Sequence, residues 1–508
     1  MDPYSFLNTA HTAYFAELYD QYLINPDQVE PSWRAFFQGF EFGIEESKKN
    51  SIGEKNIEIP ENILNEFKVV KLINAYRTRG HLFTKTNPVR DRRTYIPNLA
   101  IENFELSTND LETVFNAGEI IGLGPTTLSN ILIQLETIYC DSIGIEYMFI
   151  RTPERINWIQ ERLNINSNHP LFSNEQKKQI LKKTIEAVTF EKFLHTKYVG
   201  QKRFSLEGGE SLIPALDALI ERGAELGVKE FTLGMAHRGR LNTLTNIFGK
   251  PVEDIFNEFD GKDYEEEVFD GDVKYHLGWT SERKTDLGIK IYMNIAPNPS
   301  HLEAVGPVVQ GISRAKQEKY HPEKIENVLP ILIHGDAAIA GQGVVYETVQ
   351  MERLKGFKTG GTIHIVVNNQ VGFTTNYLDG RSSTYCTDVA KPNLSPVLHV
   401  NSDDVEAVVH AITFALDYRM RYKRDIFLDL LGYRKYGHNE GDEPRFTQPK
   451  LYKAISKHPN LMEIYSKKLL EEQVVTEEEI LKIESKYKKT LEAKLESSKK
   501  DESIVITP

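Results

Sequence analysis

Residues 331–343 read ILIHGDAAIAGQG, three apolar residues followed by a single carboxylate, Asp336, among alanines and glycines. The apolar run predicts a buried strand, and the small residues after it predict a close turn into a helix. The adjoining sequence offers Asp336 almost no side chain to pair with. The small neighbours would let a large charged group come close to this carboxylate.

A second apolar run, TIHIVV at 362–367, ends in two asparagines, and Asn369 follows it. The residues between, GVVYETVQMERLKGF, predict a crossover helix with Val345, Val349 and Leu354 on roughly one face. A strand–helix–strand unit makes its two strands neighbours or near-neighbours, so Asp336 and Asn369 are expected to converge. Their oxygens are hard ligands of the kind that Mg²⁺ accepts, with phosphate oxygens completing its shell.

The surrounding small residues leave room for a diphosphate at the start of the helix. These residues are Ala337, Ala338, Gly341 and Gly343. Taken alone, an Asp after a strand is usually a helix cap, and an Asn-Asn pair is usually a turn. Together, across a strand–helix–strand unit, the two motifs favour a metal–diphosphate site.

Polar clusters follow five apolar runs between residues 210 and 450. They are AHRGR (236–240), PNPSHLE (297–303), HGDAA (334–338), NNQVGFTT (368–375) and GYRKYGHNEGDEP (432–444). Helices alternate with these runs, which predicts an α/β fold with a parallel sheet. Ligands of such sheets bind outside the carboxyl ends of the strands, so five clusters in this position indicate a single site.

Composition excludes several classes of protein. The net charge of −12 argues against a nucleic-acid binder, which would show a basic face. Two cysteines, Cys140 and Cys386, are too few for a disulfide framework or a cysteine metal site. No apolar run approaches the ~18 residues of a membrane span, and the N-terminus resembles neither a signal peptide nor a transit peptide. We therefore expect a soluble cytoplasmic protein.

The chain is expected to contain five segments. Residues 1–45 are predicted to form a pair of aromatic helices, which is either a docking element or a segment that packs against the rest of the same chain. Residues 46–61 are predicted to be a linker. Residues 62–200 are expected to be mainly helical, with TIYCDSIGIEYMFI closing one helix. Residues 201–455 form the expected diphosphate-binding α/β domain, and 456–508 a charged helical connector.

The pattern HGDA…NNQVGF resembles the thiamine-diphosphate motif, in which Gly-Asp-Gly precedes Asn-Asn by some thirty residues. Ala337 stands where most of that superfamily has the second glycine, a variant carried by the decarboxylating (first) component of the 2-oxoglutarate dehydrogenase complex. The similarity extends along nearly the whole chain. Further stretches that share it are DPYSFLNTAHTAYFAELYDQYL, FEKFLHTKYVGQKRFSLEGGESLIPAL, GMAHRGRLNTL, DVKYHLG, APNPSHLEAV and YRKYGHNEGDEPRFTQP.

The resemblance implies a role for individual residues. Asp336, Asn369 and the backbone carbonyl of Val371 would bind Mg²⁺. The cofactor would contact Leu302, Ala337, Ala338 and Arg238. Arg238, His276 and Ser300 would face the 2-oxo acid, with His237, His276 and His301 as catalytic candidates. His438 is either active-site wall or part of a capped turn, and His364, inside a predicted strand, is expected to be a core residue.

The resemblance also implies an activity in the tricarboxylic acid cycle: oxidative decarboxylation of 2-oxoglutarate with transfer of the succinyl group to the lipoyl group of dihydrolipoyl succinyltransferase. Thiamine diphosphate and Mg²⁺ would be the cofactors, dihydrolipoyl dehydrogenase a further partner, and the full-length enzyme a homodimer. Arginine and histidine are suitable donors for a dianionic substrate.

Three alternatives stay open at the level of sequence. One is another thiamine-diphosphate enzyme, such as a transketolase or a pyruvate dehydrogenase. A second is a nicotinamide enzyme, although GQG lacks the required spacing and the later acid. A third is a non-catalytic scaffold that binds the complex core through residues 1–45.

In the resembling family a second, pyrimidine-binding domain supplies the glutamate that activates the cofactor. We find no such domain after residue 455 and expect a truncated or naturally split enzyme. The isolated chain should then bind Mg²⁺ and diphosphate weakly and decarboxylate nothing.

Overall fold

A computed structural model describes residues 61–90, 95–261 and 273–500, together with residues 19, 21–26, 29, 34, 37 and 38. The chain divides into two units, Met1–Leu64 and Asn65–Pro508. In the first unit, residues 19 and 21–24 are helical, and the side chains of Tyr22, Val29 and Phe37 are buried together. Most of the predicted docking segment and all but the last residue of the predicted linker lie outside the described residues.

The second unit is built on an eight-stranded sheet with the spatial order β3-β11-β12-β8-β7-β4-β6-β5. The six central strands are parallel, and the edge strands β3 and β5 are antiparallel to their neighbours. The strands are β3 (Ile143–Glu146), β4 (Glu230–Met235), β5 (Trp279–Lys284), β6 (Lys290–Ile295), β7 (Val328–Gly335), β8 (Ile363–Asn368), β11 (Val397–Asn401) and β12 (Ile426–Leu431). Two short antiparallel pairs lie apart from this sheet: β1 (Val114–Phe115) with β2 (Thr126–Thr127), and β9 (Val371–Gly372) with β10 (Thr375–Asn376).

Helices accompany the sheet along the second unit. Strands such as β4 and β8 are buried along their whole length, as expected for parallel strands covered on both faces. The helices are α1 (Glu61–Arg79), α2 (Leu128–Cys140), α3 (Pro153–Asn164), α4 (Asn174–Lys197), α5 (Leu212–Glu225), α6 (Arg240–Asn246), α7 (Val252–Asp260), α8 (Val305–Tyr320), α9 (Asp336–Gly341), α10 (Gly343–Gln350), α11 (Tyr377–Gly380), α12 (Val405–Tyr422), α13 (Pro449–Ile455), α14 (Leu461–Glu471) and α15 (Glu477–Ser498).

The α/β fold class and the five predicted strands are confirmed as β4, β6, β7, β8 and β12. The predicted crossover helix exists as α10 with Val345 and Val349 buried, but Leu354 lies beyond its end and is 51% exposed, so the prediction that it shares a helix face with the two valines was wrong. The prediction of a helix through TIYCDSIGIEYMFI was also wrong, because Asp141 ends α2 and the residues Ile143–Glu146 form β3. β3 pairs with β11, and its two isoleucines are buried in the core.

The charged sequence after residue 455 lies against the rest of the second unit. Helix α15 packs on α4 and α7, where Leu491 and Leu495 are buried. Tyr487 donates a hydrogen bond to Asn246 Oδ1 at 2.6 Å. No helix of the described residues is long and apolar enough to cross a membrane.

Candidate active site

Asp336 lies at the carboxyl end of β7, where it begins helix α9. β7 and β8 are direct neighbours in the sheet, with Gly335 paired to Val367, and Asn369 follows the end of β8. The backbone N–H of Asn369 is near enough to the Asp336 carboxylate to lower its pKa. The structure therefore brings the two residues together, as the strand–helix–strand pattern predicts.

The Asp336 carboxylate is buried and only loosely paired. Among the described residues its one ion-pair partner within 4.0 Å is Arg381, whose Nη1 lies 3.9 Å from Oδ2. Burial raises the pKa of Asp336 to about 6, while the Arg381 charge and the backbone N–H groups of Asp336 and Asn369 lower it. A buried carboxylate without a close cation has the electrostatic character of a cation site.

Asn369 and Val371 are held by the turn that leads from β8 into β9. The Val371 N–H donates to Asn369 Oδ1 at 3.2 Å, and the Gln370 N–H donates to Asn368 Oδ1 at 3.2 Å. Gln370 has a φ of +66° and its side chain donates to the Gly432 carbonyl at 2.8 Å. These bonds fix the backbone of the turn close to Asp336.

Open space adjoins this turn and α9. A Cβ added at Gly335, Gly341 or Gly343 would meet no heavy atom within 4 Å. By contrast, a Cβ added at Gly372 would lie 2.7 Å from the Ala337 methyl, so α9 and β9 are in close contact. No group of three or more His, Cys, Asp or Glu side chains in the described part of the chain could hold a metal ion. A site of one carboxylate, one carboxamide and backbone oxygen would instead suit a hard cation that carries its own anionic ligands.

His237 and Arg238 follow β4 and lie in a cluster of rings. The His237 ring is 4.0 Å from that of Phe204 and 6.0 Å from that of His438, measured between centroids. Burial, together with the nearby charges of Arg238, His438 and His276, lowers the pKa of His237 to about 3. His237 is therefore neutral at pH 7.

The Arg238 guanidinium joins two loops. Its Nη1 donates to the Ser205 carbonyl at 3.0 Å and its Nη2 to the His438 carbonyl at 2.8 Å. Burial and the charge of Arg434 lower the pKa of Arg238 to about 10, so it stays charged at neutral pH. Sequence reasoning gave His438 only a weak place in the site, whereas the structure puts it beside His237 and Arg238.

The remaining predicted residues occupy the loops before β5 and after β6. The Asn298 N–H donates to the His276 carbonyl at 2.9 Å, which ties the two loops together. Ser300 and His301 are exposed. Among the described residues, their side chains form no hydrogen bond with His237, Arg238 or His438. Leu302 is half-buried beside Glu303, and Glu303 accepts a 2.6 Å hydrogen bond from His334 of β7. Arg381 was missed by sequence reasoning because no motif marks its loop.

Comparison with known proteins decides the family. The model of the dehydrogenase E1 component family matches residues 182–506, more than half of the chain, and that of the 2-oxoglutarate dehydrogenase N-terminus matches residues 4–43. The chain belongs to the dehydrogenase E1 component family. This family depends on thiamine diphosphate, so the predicted resemblance is confirmed and a nicotinamide enzyme of the Rossmann class is set aside.

Individual relatives within the dehydrogenase E1 component family agree. The chain is 44% identical to the 2-oxoglutarate dehydrogenase E1 component of Azotobacter vinelandii, over 96% of this chain and 54% of that protein. It is 39% identical to the 2-oxoglutarate dehydrogenase E1 component of Brucella canis, over 97% of this chain and 55% of that protein. The chain spans about half the length of the curated relatives it matches.

Proposed function

We propose that the chain acts in the oxidative decarboxylation of 2-oxoglutarate, as part of the first component of the 2-oxoglutarate dehydrogenase complex. The observation that carries this proposal is the meeting of Asp336 and Asn369 at the ends of β7 and β8, beside open space. The relatives named above support the choice of substrate.

The residues present fit Mg²⁺ and a diphosphate. Asp336, Asn369 and the Val371 carbonyl would supply the protein ligands, and the open space at Gly341 and Gly343 would admit phosphate oxygens. Leu302, Ala337, Ala338 and Arg238 would contact the cofactor. When bound, thiamine diphosphate supplies the acceptor for the electron pair that is released with carbon dioxide.

Substrate recognition is assigned to the loops around the His237 cluster. A five-carbon dicarboxylic 2-oxo acid is a dianion, and Arg238 brings a permanent positive charge to it. Two of the five N–H groups of Arg238 are used by carbonyls, which leaves others for a carboxylate. His237 stays neutral and can donate or accept one hydrogen bond, and we assign His276 and Ser300 to the substrate and His301 to catalysis.

Partners follow from the same proposal. The succinyl group would pass to the lipoyl group of dihydrolipoyl succinyltransferase, with dihydrolipoyl dehydrogenase completing the complex. We assign recruitment of the acyltransferase to residues 1–45, whose match to the 2-oxoglutarate dehydrogenase N-terminus supports a family-specific role. A homodimer and a cytoplasmic location in the tricarboxylic acid cycle complete the proposal.

A substrate panel and one variant test the assignment in the assembled enzyme. Pyruvate, 2-oxoglutarate and a ketose phosphate distinguish this enzyme from a pyruvate dehydrogenase or a transketolase. His276→Ala should raise the KM for 2-oxoglutarate about tenfold or more, the loss of one charge-assisted hydrogen bond, with little change in cofactor affinity. His169→Ala, at an exposed histidine away from the cluster, is the control. Preference for pyruvate, or equal loss of substrate and cofactor affinity, would contradict the proposal.

A further inference from the structure

A cavity of about 380 Å³ lies at the amino end of the sheet, away from the candidate active site. It is bounded by helix α8 and by residues 348–364, and it reaches Thr362 and Asp425, which precede β8 and β12. Phe357, 56% exposed, marks the side that meets solvent. The proposed function gives this cavity no role.

One wall of the cavity holds His364, which is 2% exposed. Its Nδ1 lies 3.0 Å from Nε2 of His334, and His334 Nδ1 lies 2.6 Å from Glu303 Oε2. Because a carboxylate only accepts, His334 donates through Nδ1 and accepts through Nε2, and His364 therefore donates through Nδ1. His364 Nε2 is left as an acceptor, and this buried atom has no hydrogen-bond partner among the described residues.

Asp425 places a second acceptor beside the first. Its Oδ1 accepts from the Thr362 N–H at 2.8 Å, and its Oδ2 accepts from Asn393 Nδ2 at 3.3 Å. The same Oδ2 lies 3.6 Å from His364 Nε2, too far for a hydrogen bond between them. His364 Nε2 lacks a donor and Asp425 Oδ2 has only the long bond from Asn393, so a single group with several N–H bonds would serve both acceptors.

The charge of the lining favours a positive donor. The acids Glu318, Glu352 and Asp425 line the cavity together with Arg314. Glu352 Oε1 is paired with Arg424 Nε at 2.9 Å, whereas no Lys or Arg among the described residues lies within 4.0 Å of the Asp425 carboxylate. Arg314 is already paired, because its Nε and Nη2 donate to Glu318 Oε1 at 2.9 and 2.6 Å. Burial raises the pKa of Asp425, so a negative charge on this carboxylate is disfavoured by its surroundings.

Part of the remaining wall is apolar. Pro307, Ala315 and Met351 contribute to it, and helix α8 presents Gly311, where an added Cβ would meet no heavy atom within 4 Å. A ligand for this cavity therefore needs an apolar body with a cationic donor at one end. We propose that the cavity binds a small organic cation, a primary ammonium on an apolar body, whose N–H groups bind His364 Nε2 and Asp425 Oδ2.

Calorimetry on the purified 508-residue chain tests the proposal with three probes of matched shape: benzylammonium, benzyl alcohol and benzoate. Benzylammonium should bind, and the neutral and anionic probes should bind at least tenfold more weakly. Gly311→Leu should weaken the binding of benzylammonium at least tenfold, because the leucine side chain fills the cavity. This variant should fold well, since leucine has a higher helix propensity than glycine. Asp425→Asn should also weaken the binding of benzylammonium. Asp417→Asn should not, because Asp417 is an ion-paired residue of α12 outside the cavity.

Several results would overturn the proposal. They are the absence of benzylammonium binding, equal affinity for benzyl alcohol, or affinity unchanged by Gly311→Leu. Loss of binding in Asp336→Asn but not in Gly311→Leu would place the cation in the candidate active site instead. If Asp425→Asn fails to fold, Gly311→Leu decides the question alone.

Discussion

The Asp336 carboxylate is buried, and Arg381 at 3.9 Å offsets only part of the cost of burying its charge. Its pKa is raised from 3.8 to about 6. The contribution of this group to the free energy of unfolding is therefore fully present below pH 3.8 and is lost as pH rises through 6. The shift corresponds to about 3 kcal/mol at pH 7. We predict that Asp336→Asn raises the free energy of unfolding by up to that amount and abolishes Mg²⁺-dependent binding of thiamine diphosphate.

Cofactor titration by calorimetry, with a melting curve, checks both parts of this prediction. Asp379→Asn, an exposed carboxylate in α11, should change neither quantity. Unchanged cofactor affinity in Asp336→Asn would remove Asp336 from the metal site.

His399 of β11 shows the same sign of pH dependence over a higher pH range. Burial lowers its pKa, but hydrogen bonds to Asp429 at 2.8 Å and Glu146 at 3.0 Å outweigh burial and raise it to about 8. The stabilisation is present below pH 6.5 and is lost as pH rises through 8, which amounts to about 2 kcal/mol. Urea unfolding at pH 6.5 and pH 9 should therefore show that the free energy of unfolding falls more between these pH values in the wild type than in His399→Gln. His169→Gln is the control, and an equal loss in all three proteins would refute the assignment.

At the scale of elements, the contact between α9 and β9 controls the backbone of the proposed metal site. A Cβ at Gly372 would lie 2.7 Å from the Ala337 methyl, closer than packed carbons allow. Gly372→Ala should therefore cost about 1–3 kcal/mol of stability and weaken cofactor binding. Adding Ala337→Gly removes the clash and should restore most of the lost stability and most of the lost cofactor affinity.

A double-mutant cycle of unfolding free energies measures this coupling between Gly372 and Ala337. Gly343→Ala, where the added methyl meets open space, is the matched control for stability. Additive effects of the two substitutions would show that the helix and the turn do not contact each other as described.

The same scale shows what the sequence could predict. β7 and β8 were predictable because each contains an apolar run of three residues, Ile331–Ile333 and Ile365–Val367, that leads into polar residues. β11 was missed because His399 interrupts its apolar pattern, and that histidine is buried only because two distant carboxylates bind it. The edge strand β5, WTSERK, alternates between half-buried and exposed residues and so lacks an apolar run. Arg381 reaches Asp336 through a tertiary contact that no local pattern contains. The polar cluster at 432–444 includes His438, but its contacts with His237 and Arg238 could not be predicted from the sequence.

At the scale of the whole molecule, the chain divides at Leu64 and Asn65, and the two units match different family models. The sheet, the candidate site and the 380 Å³ cavity all belong to the second unit. This division separates the proposed chemistry from the proposed recruitment of the acyltransferase, which we assign to residues 1–45.

Deleting residues 1–45 from the enzyme assembled with its partner components tests that separation. The overall coenzyme-A-dependent reaction should fall by at least tenfold, because the acyltransferase is no longer held near the site and the advantage of high effective concentration is lost. Decarboxylation followed with an artificial electron acceptor should stay within twofold of the intact enzyme. Replacing residues 46–60 with a Gly/Ser linker of equal length is the matched control and should preserve both activities, since this stretch is predicted to be a tether. If the deletion removes both activities together, residues 1–45 belong to the catalytic fold and the recruitment role is wrong.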